Sequence, residues 1–213
     1  TCVAPDYLLL HRSVKDAFVR EYRRALEEFF PGGDFGEMPC IINDKHFRRV
    51  NGLLEGQSIL IGGEPDAARR FIPPTLLDET DPDAPAMQEE IFAPILPMLC
   101  WQEREEVVRF IQSRPKPLAL YLFTRDREME REIFDRCSFG GGCVNDTIVH
   151  LACSGLPFGG VGNSGMGSYH GKQSFDTFTH YRSVLKKANW LDLPMRYHPY
   201  SGEKLRWIKR FLK

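Results

Sequence analysis

The sequence predicts an α/β fold built on a three-layer, doubly wound, mostly parallel sheet, and two features of the chain lead to this prediction. Strand-like and helix-like segments alternate from residue 7 to residue 144, in the order that a doubly wound sheet requires. The segment 118–123 is apolar on both faces, as a buried parallel strand must be. With 213 residues, 42% of them hydrophobic, the chain can bury a sizeable core.

The order of the predicted elements follows from hydrophobic period and from turn residues. They are strands over 7–10, 58–61, 95–101, 118–123 and 143–144, helices over 13–30, 45–55, 104–113 and 127–136, and an extended segment over 71–77. Ser13 is expected to cap the first helix, and Asn43 or Asp44 the second. Pro73-Pro74 is expected to keep the segment 71–77 out of the centre of a sheet, because proline has no N–H to donate.

The carboxyl-terminal part of the sequence predicts a helix or turn over 174–181, a β run over 183–186 and a helical tail over 202–213. Leu205, Ile208 and Leu212 recur in the tail at helical spacing among five basic residues. Such a helix can lie on an anionic membrane surface. A solvated or subunit-packing face is the interpretation that the pattern favours.

Composition and charge exclude several classes of protein. The net charge of −1 leaves no electrostatic footprint for nucleic acid, and no apolar run approaches the ~20 residues of a membrane span. The six cysteines are scattered without a C-x-x-C pair, which excludes a disulfide framework and a zinc site. We expect reduced thiols, most of them buried, in a cytoplasmic protein without a metal. His150, His170 and His180 lack metal-ligand spacing and are expected to pack or to cap.

Glycine is concentrated in the segment 155–171, which holds seven of the eighteen glycines of the chain. This composition indicates unusual backbone angles or close backbone packing. The letters of 160–165 satisfy the dinucleotide fingerprint G-x-G-x-x-G, whose chemistry needs a strand before it, a helix after it and an acidic residue ~20 positions later. None of these is predicted here, so we do not expect this loop to bind pyrophosphate.

Cys2 lies in a polar turn just before an apolar run, a suitable place for an exposed and oriented thiol. A thiolate can add to the carbonyl carbon of an aldehyde, and the resulting thiohemiacetal can expel hydride to leave a thioester. A cysteine in such a turn is most often only structural. The sequence around Cys2 therefore has to be weighed together with other stretches of the chain.

Three stretches, in this order and spacing, resemble the catalytic half of an aldehyde dehydrogenase of the short, class 3 type. They are Thr-Cys-Val-Ala-Pro-Asp-Tyr at 1–7, Glu-Glu-Ile-Phe-Ala-Pro at 89–94 and the glycine-rich segment 155–171. The resemblance extends to about residue 200. It implies that Cys2 is the nucleophile, with its own N–H helping to hold the oxyanion. By the same resemblance, Glu90 accepts hydrogen bonds from the nicotinamide ribose, Phe92 packs near the nicotinamide ring, and Thr1 and Phe158 belong to the substrate pocket. Ala93 stands where the family usually has glycine.

Further properties are implied by the resemblance alone. The cofactor is NAD or NADP, the substrate is a small-molecule aldehyde, and the enzyme is a homodimer. Residues 1–182 form the catalytic domain, and residues 183–213 form an oligomerisation strand with a basic helical tail. The cofactor-binding domain, the general-base glutamate and the oxyanion asparagine of the family are expected upstream of residue 1, so the chain alone is expected to be inactive.

Two other functions remain open from the sequence. One is an acyl-phosphate or acyl-thioester reductase of the same superfamily, which uses the same thiol in the reverse direction. The other is a truncated, non-catalytic domain that serves dimerisation or binding.

Overall fold

The computed structural model describes residues 1–212, which divide into two compact units. The first unit is Thr1–Thr177, and the second comprises the residues from Phe178 onward. The structural division therefore falls before the predicted functional division at 182/183, which stays a prediction.

The larger sheet of the first unit has four strands: β1 (Leu8–His11), β2 (Ile59–Ile61), β3 (Thr75–Leu77) and β4 (Ile95–Trp101). Their order across the sheet is β1-β4-β3-β2. β4 pairs in parallel with β1 on one side and with β3 on the other, whereas β2 runs antiparallel to β3.

A second sheet contains two parallel strands, β5 (Ala119–Leu122) and β6 (Gly141–Val144). The predicted α/β class with mostly parallel strands is confirmed. Within the described residues the strands form two separate sheets, since β1 pairs only with β4 and β5 only with β6. The residues of β1 and β5 line the same cavity, which separates the two sheets.

Helices connect and flank the strands. They are α1 (Lys15–Phe29), α2 (Asp44–Gly52), α3 (Arg104–Gln112), α4 (Arg127–Arg136), α5 (Gly171–Thr177) and α6 (Gly202–Phe211), with short 3-10 helices at Arg12–Val14, Pro31–Gly33, Pro85–Met87, Val149–Ala152, Gly162–Ser164 and Pro194–Arg196. Side-chain caps begin three of the α-helices: Asn43 accepts the His46 N–H at 2.9 Å, Asp126 accepts the Glu128 N–H at 2.8 Å, and Ser201 accepts the Lys204 N–H at 3.3 Å.

Two apolar clusters form the core of the first unit. One packs α2 against the main sheet and the loop that precedes β4, through Phe47, Val50, Leu53, Leu54, Ile72, Leu77, Ala86, Ile91 and Ile95. The other packs α3 and α4 together, through Val107, Val108, Ile111, Met129, Ile133 and Cys137. Leu9, Leu120 and Leu122 pack against the second cluster, so α3 and α4 support both sheets beside the cavity.

Three sequence-based expectations for the first unit are wrong. Ser13 does not cap α1: its N–H and hydroxyl both engage His11 Nδ1, and α1 starts at Lys15 without a side-chain cap. β3 lies inside the main sheet, because the strand begins after Pro73-Pro74 and keeps its N–H donors. β5 is only half-buried, because it flanks the cavity.

The second unit contains one α-helix, α6, among its described residues. In the single chain the residues of the predicted β run, 183–186, form no regular element, and Val184 and Leu185 are 78% and 94% exposed. A strand needs a partner edge, and the pairing of this segment with a neighbouring subunit stays a prediction. Among residues 1–212, no helix combines the length and hydrophobicity that crossing a membrane requires.

Candidate active site

Cys2 is held in a tight turn whose neighbours are fixed in place. The Ala4 N–H donates to the Thr1 carbonyl at 3.0 Å and closes the turn. Val3 is buried, and its carbonyl accepts a hydrogen bond of 2.7 Å from the Tyr121 hydroxyl. A phenol is protonated and able to donate at neutral pH, and burial raises the pKa of Tyr121 further. The thiol of Cys2, by contrast, belongs to an exposed residue.

A cavity of about 1020 Å³ lies beside Cys2. Its walls come from the residues of β1 and β5, and its rim from Cys2, Asp6, Glu89 and Glu90. Most of the lining is apolar, including the leucines at 8, 10, 118 and 122. The structure therefore brings the predicted nucleophile and the predicted ribose ligand, Glu90, to one cavity although 88 positions separate them in the sequence.

The loop over 89–94 is clamped by an arginine of α2. Arg49 forms an ion pair with Glu89 at 2.7 Å, and its other Nη donates to the Ile91 carbonyl at 2.7 Å. The Ile91 side chain is fully buried in the core. The carboxylate of Glu90, by contrast, has no hydrogen bond or ion pair among residues 1–212 and is exposed. A rigid backbone thus presents a free carboxylate.

Phe92 carries the unusual backbone angle in this loop. Its φ is +52°, in the left-handed region that residues other than glycine rarely adopt, and its side chain is 60% exposed. Ala93 is not among the residues with positive φ, so the alanine that replaces the family's glycine is not strained. Strain of this kind persists where the surroundings fix the backbone, as the clamp on Ile91 does here.

Asp6 connects the turn of Cys2 to the same loop, a role that the sequence does not predict. Its Oδ1 accepts the Ile91 N–H at 3.0 Å across 85 positions of sequence. Burial raises the pKa of Asp6, and the nearby charge of Glu90 adds to this, whereas the Ile91 and Phe92 N–H groups and Arg49 oppose it. In the sequence, the only indication of this role is that Asp6 belongs to the motif at 1–7.

The raised pKa of Asp6 predicts a pH dependence of stability. Folded Asp6 binds its proton more tightly than unfolded Asp6 does, so the free energy of unfolding decreases as the pH rises from the usual value of 3.8 through the folded pKa. In the Asp6→Asn variant this contribution is expected to vanish. Urea unfolding of both proteins between pH 4 and pH 7 measures the difference, and parallel curves would contradict it.

Phe158 belongs to a series of aromatic rings, in tilted and edge-on contact, that leads to the donor of the turn of Cys2. It pairs with Tyr169 through two backbone hydrogen bonds of 2.9 Å. Its ring lies 5.9 Å from that of His150, which lies 5.8 Å from that of Tyr121, the donor to Val3. Neither Phe158 nor Thr1 nor Phe92 is among the residues that line the cavity. Their predicted roles stay predictions.

The glycine-rich segment has the geometry of a packed loop. Only an isolated bridge at Phe158 precedes it, and a single 3-10 turn, Gly162–Ser164, stands where a dinucleotide-binding helix would begin. A Cβ on Gly160 would lie 2.1 Å from the Ser164 carbonyl oxygen, so close backbone packing requires glycine there. That the loop does not bind pyrophosphate stays a prediction.

The other cysteines and His150 differ in burial and contacts. All six cysteines are free, as expected, but the expectation that most are buried is wrong, because only Cys137 is. Burial raises the pKa of Cys100. His150 is buried, with Nδ1 3.5 Å from Cys143 Sγ, and burial lowers its pKa. Within the described range 1–212, no three His, Cys, Asp or Glu side chains form a group that could hold a metal.

Comparisons with known proteins show what the chain is similar to. The aldehyde dehydrogenase family matches residues 1–184. The 4,4'-diaponeurosporen-aldehyde dehydrogenase of Staphylococcus aureus is 49% identical over 100% of this chain and 47% of its own length. The dimeric NADP-preferring aldehyde dehydrogenase of Canis lupus familiaris is 48% identical over 93% of the chain and 45% of its own length.

A solved structure gives the same result for the fold. The substrate-bound state of Staphylococcus aureus AldH superposes with a TM-score of 0.87 at 48% identity and covers 100% of this chain and 47% of that one. The chain thus spans about half the length of the relatives it matches.

Proposed function

Because the chain belongs to the aldehyde dehydrogenase family, we propose that it is the thiol-bearing half of an enzyme that oxidises an aldehyde to a carboxylic acid, with Cys2 as the nucleophile. The observation that carries this proposal is the shared cavity of Cys2 and Glu90. An exposed thiol beside a mostly apolar cavity can meet the carbonyl carbon of an apolar substrate.

In the proposed reaction the Cys2 thiolate adds to the aldehyde carbon and forms a C–S bond, while the carbonyl oxygen becomes an oxyanion. The family resemblance implies that the backbone N–H of Cys2 helps to stabilise that oxyanion. The oxyanion collapses, the C–H bond breaks with loss of hydride, and a thioester remains on Cys2. Water then adds to the thioester, the acid leaves, and the thiolate is restored.

The loop over 89–94 suits a nicotinamide cofactor. A free carboxylate at Glu90 can accept hydrogen bonds from two ribose hydroxyls, and the exposed ring of Phe92 offers a flat apolar surface on the same rigid loop. NAD or NADP, when bound, accepts the hydride. The name of the canine relative supports NADP as one of the two. Arg49 and Asp6 would hold the loop by fixing both polar groups of the Ile91 backbone.

The substrate that we propose is an apolar aldehyde. The leucine side chains along β1 and β5 give the cavity an apolar lining that suits a hydrocarbon chain. The staphylococcal relative is named for 4,4'-diaponeurosporen-aldehyde. Neither Thr1 nor Phe158 lines the cavity, and we assign both to the substrate pocket on the family resemblance alone.

Two further properties remain proposals. We propose a homodimer, which the name of the canine relative supports. We also propose that residues 1–213 alone do not turn over substrate, because they span about half of the length of their relatives. The cytoplasmic location stays a prediction.

Selective alkylation of thiols tests the role of Cys2. A catalytic thiol is expected to react with iodoacetamide at neutral pH at least about ten-fold faster than Cys100, whose pKa burial raises. Peptide mass mapping after short exposures gives the rate for each cysteine in the same sample. Cys40 and Cys153 are exposed thiols and control for accessibility alone. If Cys2 reacts no faster than these two, a non-catalytic dimerisation or binding domain is the better assignment.

A further inference from the structure

The turn that carries Cys2 leaves one backbone donor free. It is a β-turn from Thr1 to Ala4, closed by the hydrogen bond of 3.0 Å from the Ala4 N–H to the Thr1 carbonyl. Cys2 is the second residue of this turn, so its own N–H takes no part in closing it. Among residues 1–212 no group accepts a hydrogen bond from the Cys2 N–H. This N–H, next to the thiol, can therefore donate to a ligand.

The side chain of Tyr121 is attached to the same turn. Its hydroxyl donates to the Val3 carbonyl oxygen at 2.7 Å, a length typical of a strong O–H···O bond. Val3 is buried, and a hydrogen bond shielded from water is electrostatically stronger than the same bond in solvent. The strand β5 thus supplies a well-directed donor to the backbone beside the nucleophile.

Two peptide groups join this hydroxyl to the free donor. The Val3 carbonyl and the Ala4 N–H belong to the first group, and the Thr1 carbonyl and the Cys2 N–H belong to the second. A hydrogen bond to a carbonyl oxygen draws electrons toward that oxygen, and resonance in the planar peptide makes the N–H of the same group a stronger donor. The Tyr121 hydroxyl polarises the first group, and the Ala4 N–H polarises the second.

Tyr121 is fixed in position by its surroundings. It lies on β5, where its Cα is paired with that of Cys143 on β6. Its ring meets that of buried His150 edge-on, with the centroids 5.8 Å apart. Burial raises the pKa of Tyr121, a backbone hydrogen bond from Ile148 opposes this, and the ionised thiols of Cys143 and Cys2 add to it. The phenol therefore lies within electrostatic reach of the Cys2 thiol.

We propose that Tyr121 is a positioning residue for the reaction of Cys2, and that it strengthens the Cys2 N–H as a donor to the oxyanion through the two peptide groups of the turn. The inference rests on the proposed function, because only a nucleophilic Cys2 creates an oxyanion beside this N–H. When the thiolate adds to the aldehyde carbon, the C–S bond forms and the π electrons of the carbonyl move to its oxygen. That charge develops in the transition state, so a stronger donor raises the rate of addition without tighter binding of the aldehyde.

Direct contact with the substrate is the competing role for Tyr121, which also lines the cavity. Its hydroxyl has a single hydrogen, and this hydrogen is directed at the Val3 carbonyl. The aromatic ring can still contact an apolar chain. Because phenylalanine keeps that ring, Tyr121→Phe removes the hydrogen bond to the turn and leaves the wall of the cavity in place.

Two thiol reagents separate the strength of the oxyanion donor from the reactivity of the thiol. Iodoacetamide alkylates a thiolate by displacement at a saturated carbon, so no oxyanion forms. With p-nitrophenyl acetate the thiolate adds to the ester carbonyl, an oxyanion forms, the C–O bond breaks and p-nitrophenolate leaves. Neither reagent needs a cofactor. Both are applied to the complete enzyme, in which this chain is joined to the half of the family's length that it does not span.

In Tyr121→Phe we expect acylation of Cys2 to slow about ten-fold, less than the 10²–10³-fold loss that follows removal of a whole oxyanion donor. Alkylation is expected to slow at most about two-fold, because the thiol and the hydrogen bond that closes the turn remain. Release of p-nitrophenolate in the first turnover gives the acylation rate, after subtraction of the release by Cys2→Ala. With an apolar aldehyde, kcat is expected to fall by a similar factor and KM to stay unchanged.

Two further variants complete the test. Tyr22→Phe is the matched control, because it removes a tyrosine hydroxyl from α1 and Tyr22 does not line the cavity. Both rates are expected to stay the same in this variant. Replacement of Tyr121 by 3-fluorotyrosine keeps the hydroxyl and makes it a stronger donor. It is expected to speed acylation about two-fold and to leave alkylation unchanged, which decides the question even if Tyr121→Phe does not fold.

Distinct results overturn the proposal. If Tyr121→Phe slows acylation and alkylation by the same factor while circular dichroism shows it folded, Tyr121 only holds the turn. Acylation at the unmodified rate in Tyr121→Phe, or no effect of 3-fluorotyrosine on acylation, rejects the polarisation of the Cys2 N–H. A failure of the proposed function is recognised separately. In that case Cys2→Ala releases p-nitrophenolate as fast as the unmodified enzyme does, and both the nucleophile and the role of Tyr121 are wrong.

Discussion

Replacing Cys2 by serine is expected to lower the rate of hydride transfer about a thousand-fold or more, which corresponds to about 4 kcal/mol of transition-state free energy. A serine hydroxyl at this position has a pKa far above neutrality. His11 also lines the cavity, but its Nδ1 is engaged by the N–H and hydroxyl of Ser13. The proposed first step, addition to the aldehyde carbon, is therefore lost while the shape of the turn is kept.

The measurement needs the complete enzyme, in which residues 1–213 are joined to the half of the family's length that they do not span. Reduction of NAD or NADP is followed at 340 nm with an apolar aldehyde. Cys40→Ser is the matched control, because Cys40 is exposed and does not line the cavity. If Cys2→Ser keeps more than about a tenth of the activity, the nucleophile has been assigned to the wrong residue.

Much of the fold follows from local sequence. β4 and α4 have the bounds that the sequence predicts, because a continuous apolar run and a charged helical pattern each stand between clear turn signals. The position of β3 in its sheet could not be predicted, because strand order depends on pairing between distant segments. The run over 183–186 forms no strand in the single chain, because β propensity alone does not provide a partner edge.

The candidate site shows the same division between local and distant information. Cys2 and Glu90 were predicted as site residues from their own motifs, since each is surrounded by distinctive neighbours. The residues that hold these motifs in place were not predicted. Tyr121 contacts Val3 across 118 positions and Asp6 contacts Ile91 across 85, and neither partner has a nearby pattern that announces the contact. The sequence thus supports a prediction of candidate site residues more readily than a prediction of the residues that hold them in place.

These supporting contacts also explain why the site depends on the smaller sheet. Tyr121 is a residue of β5, and its Cα is paired with that of Cys143 on β6. If β6 moves, the strand that carries Tyr121 loses its only pairing partner among the described residues. The Val3 carbonyl then loses the hydrogen bond that fixes the turn of Cys2.

A single methyl group on β6 is therefore expected to disturb both stability and thiol reactivity. In Gly142→Ala, the new Cβ would lie 1.9 Å from the Leu120 carbonyl oxygen of β5. Gly142 is not among the glycines with positive φ, so the steric clash alone is the cause. Because the obstacle is backbone, the strands must separate locally, and we expect the free energy of unfolding to fall by about 3 kcal/mol.

Gly52→Ala is the matched control. Gly52 is the last residue of α2, and no atom lies within 4 Å of the Cβ that the substitution adds. The same methyl group is expected to be neutral or to stabilise the protein by up to about 1 kcal/mol there. Urea unfolding gives both free energies, and iodoacetamide labelling reports whether Cys2 reacts more slowly in Gly142→Ala. Equal stability of the two variants would show that β5 and β6 tolerate a side chain at their contact, and that the turn of Cys2 does not depend on their pairing.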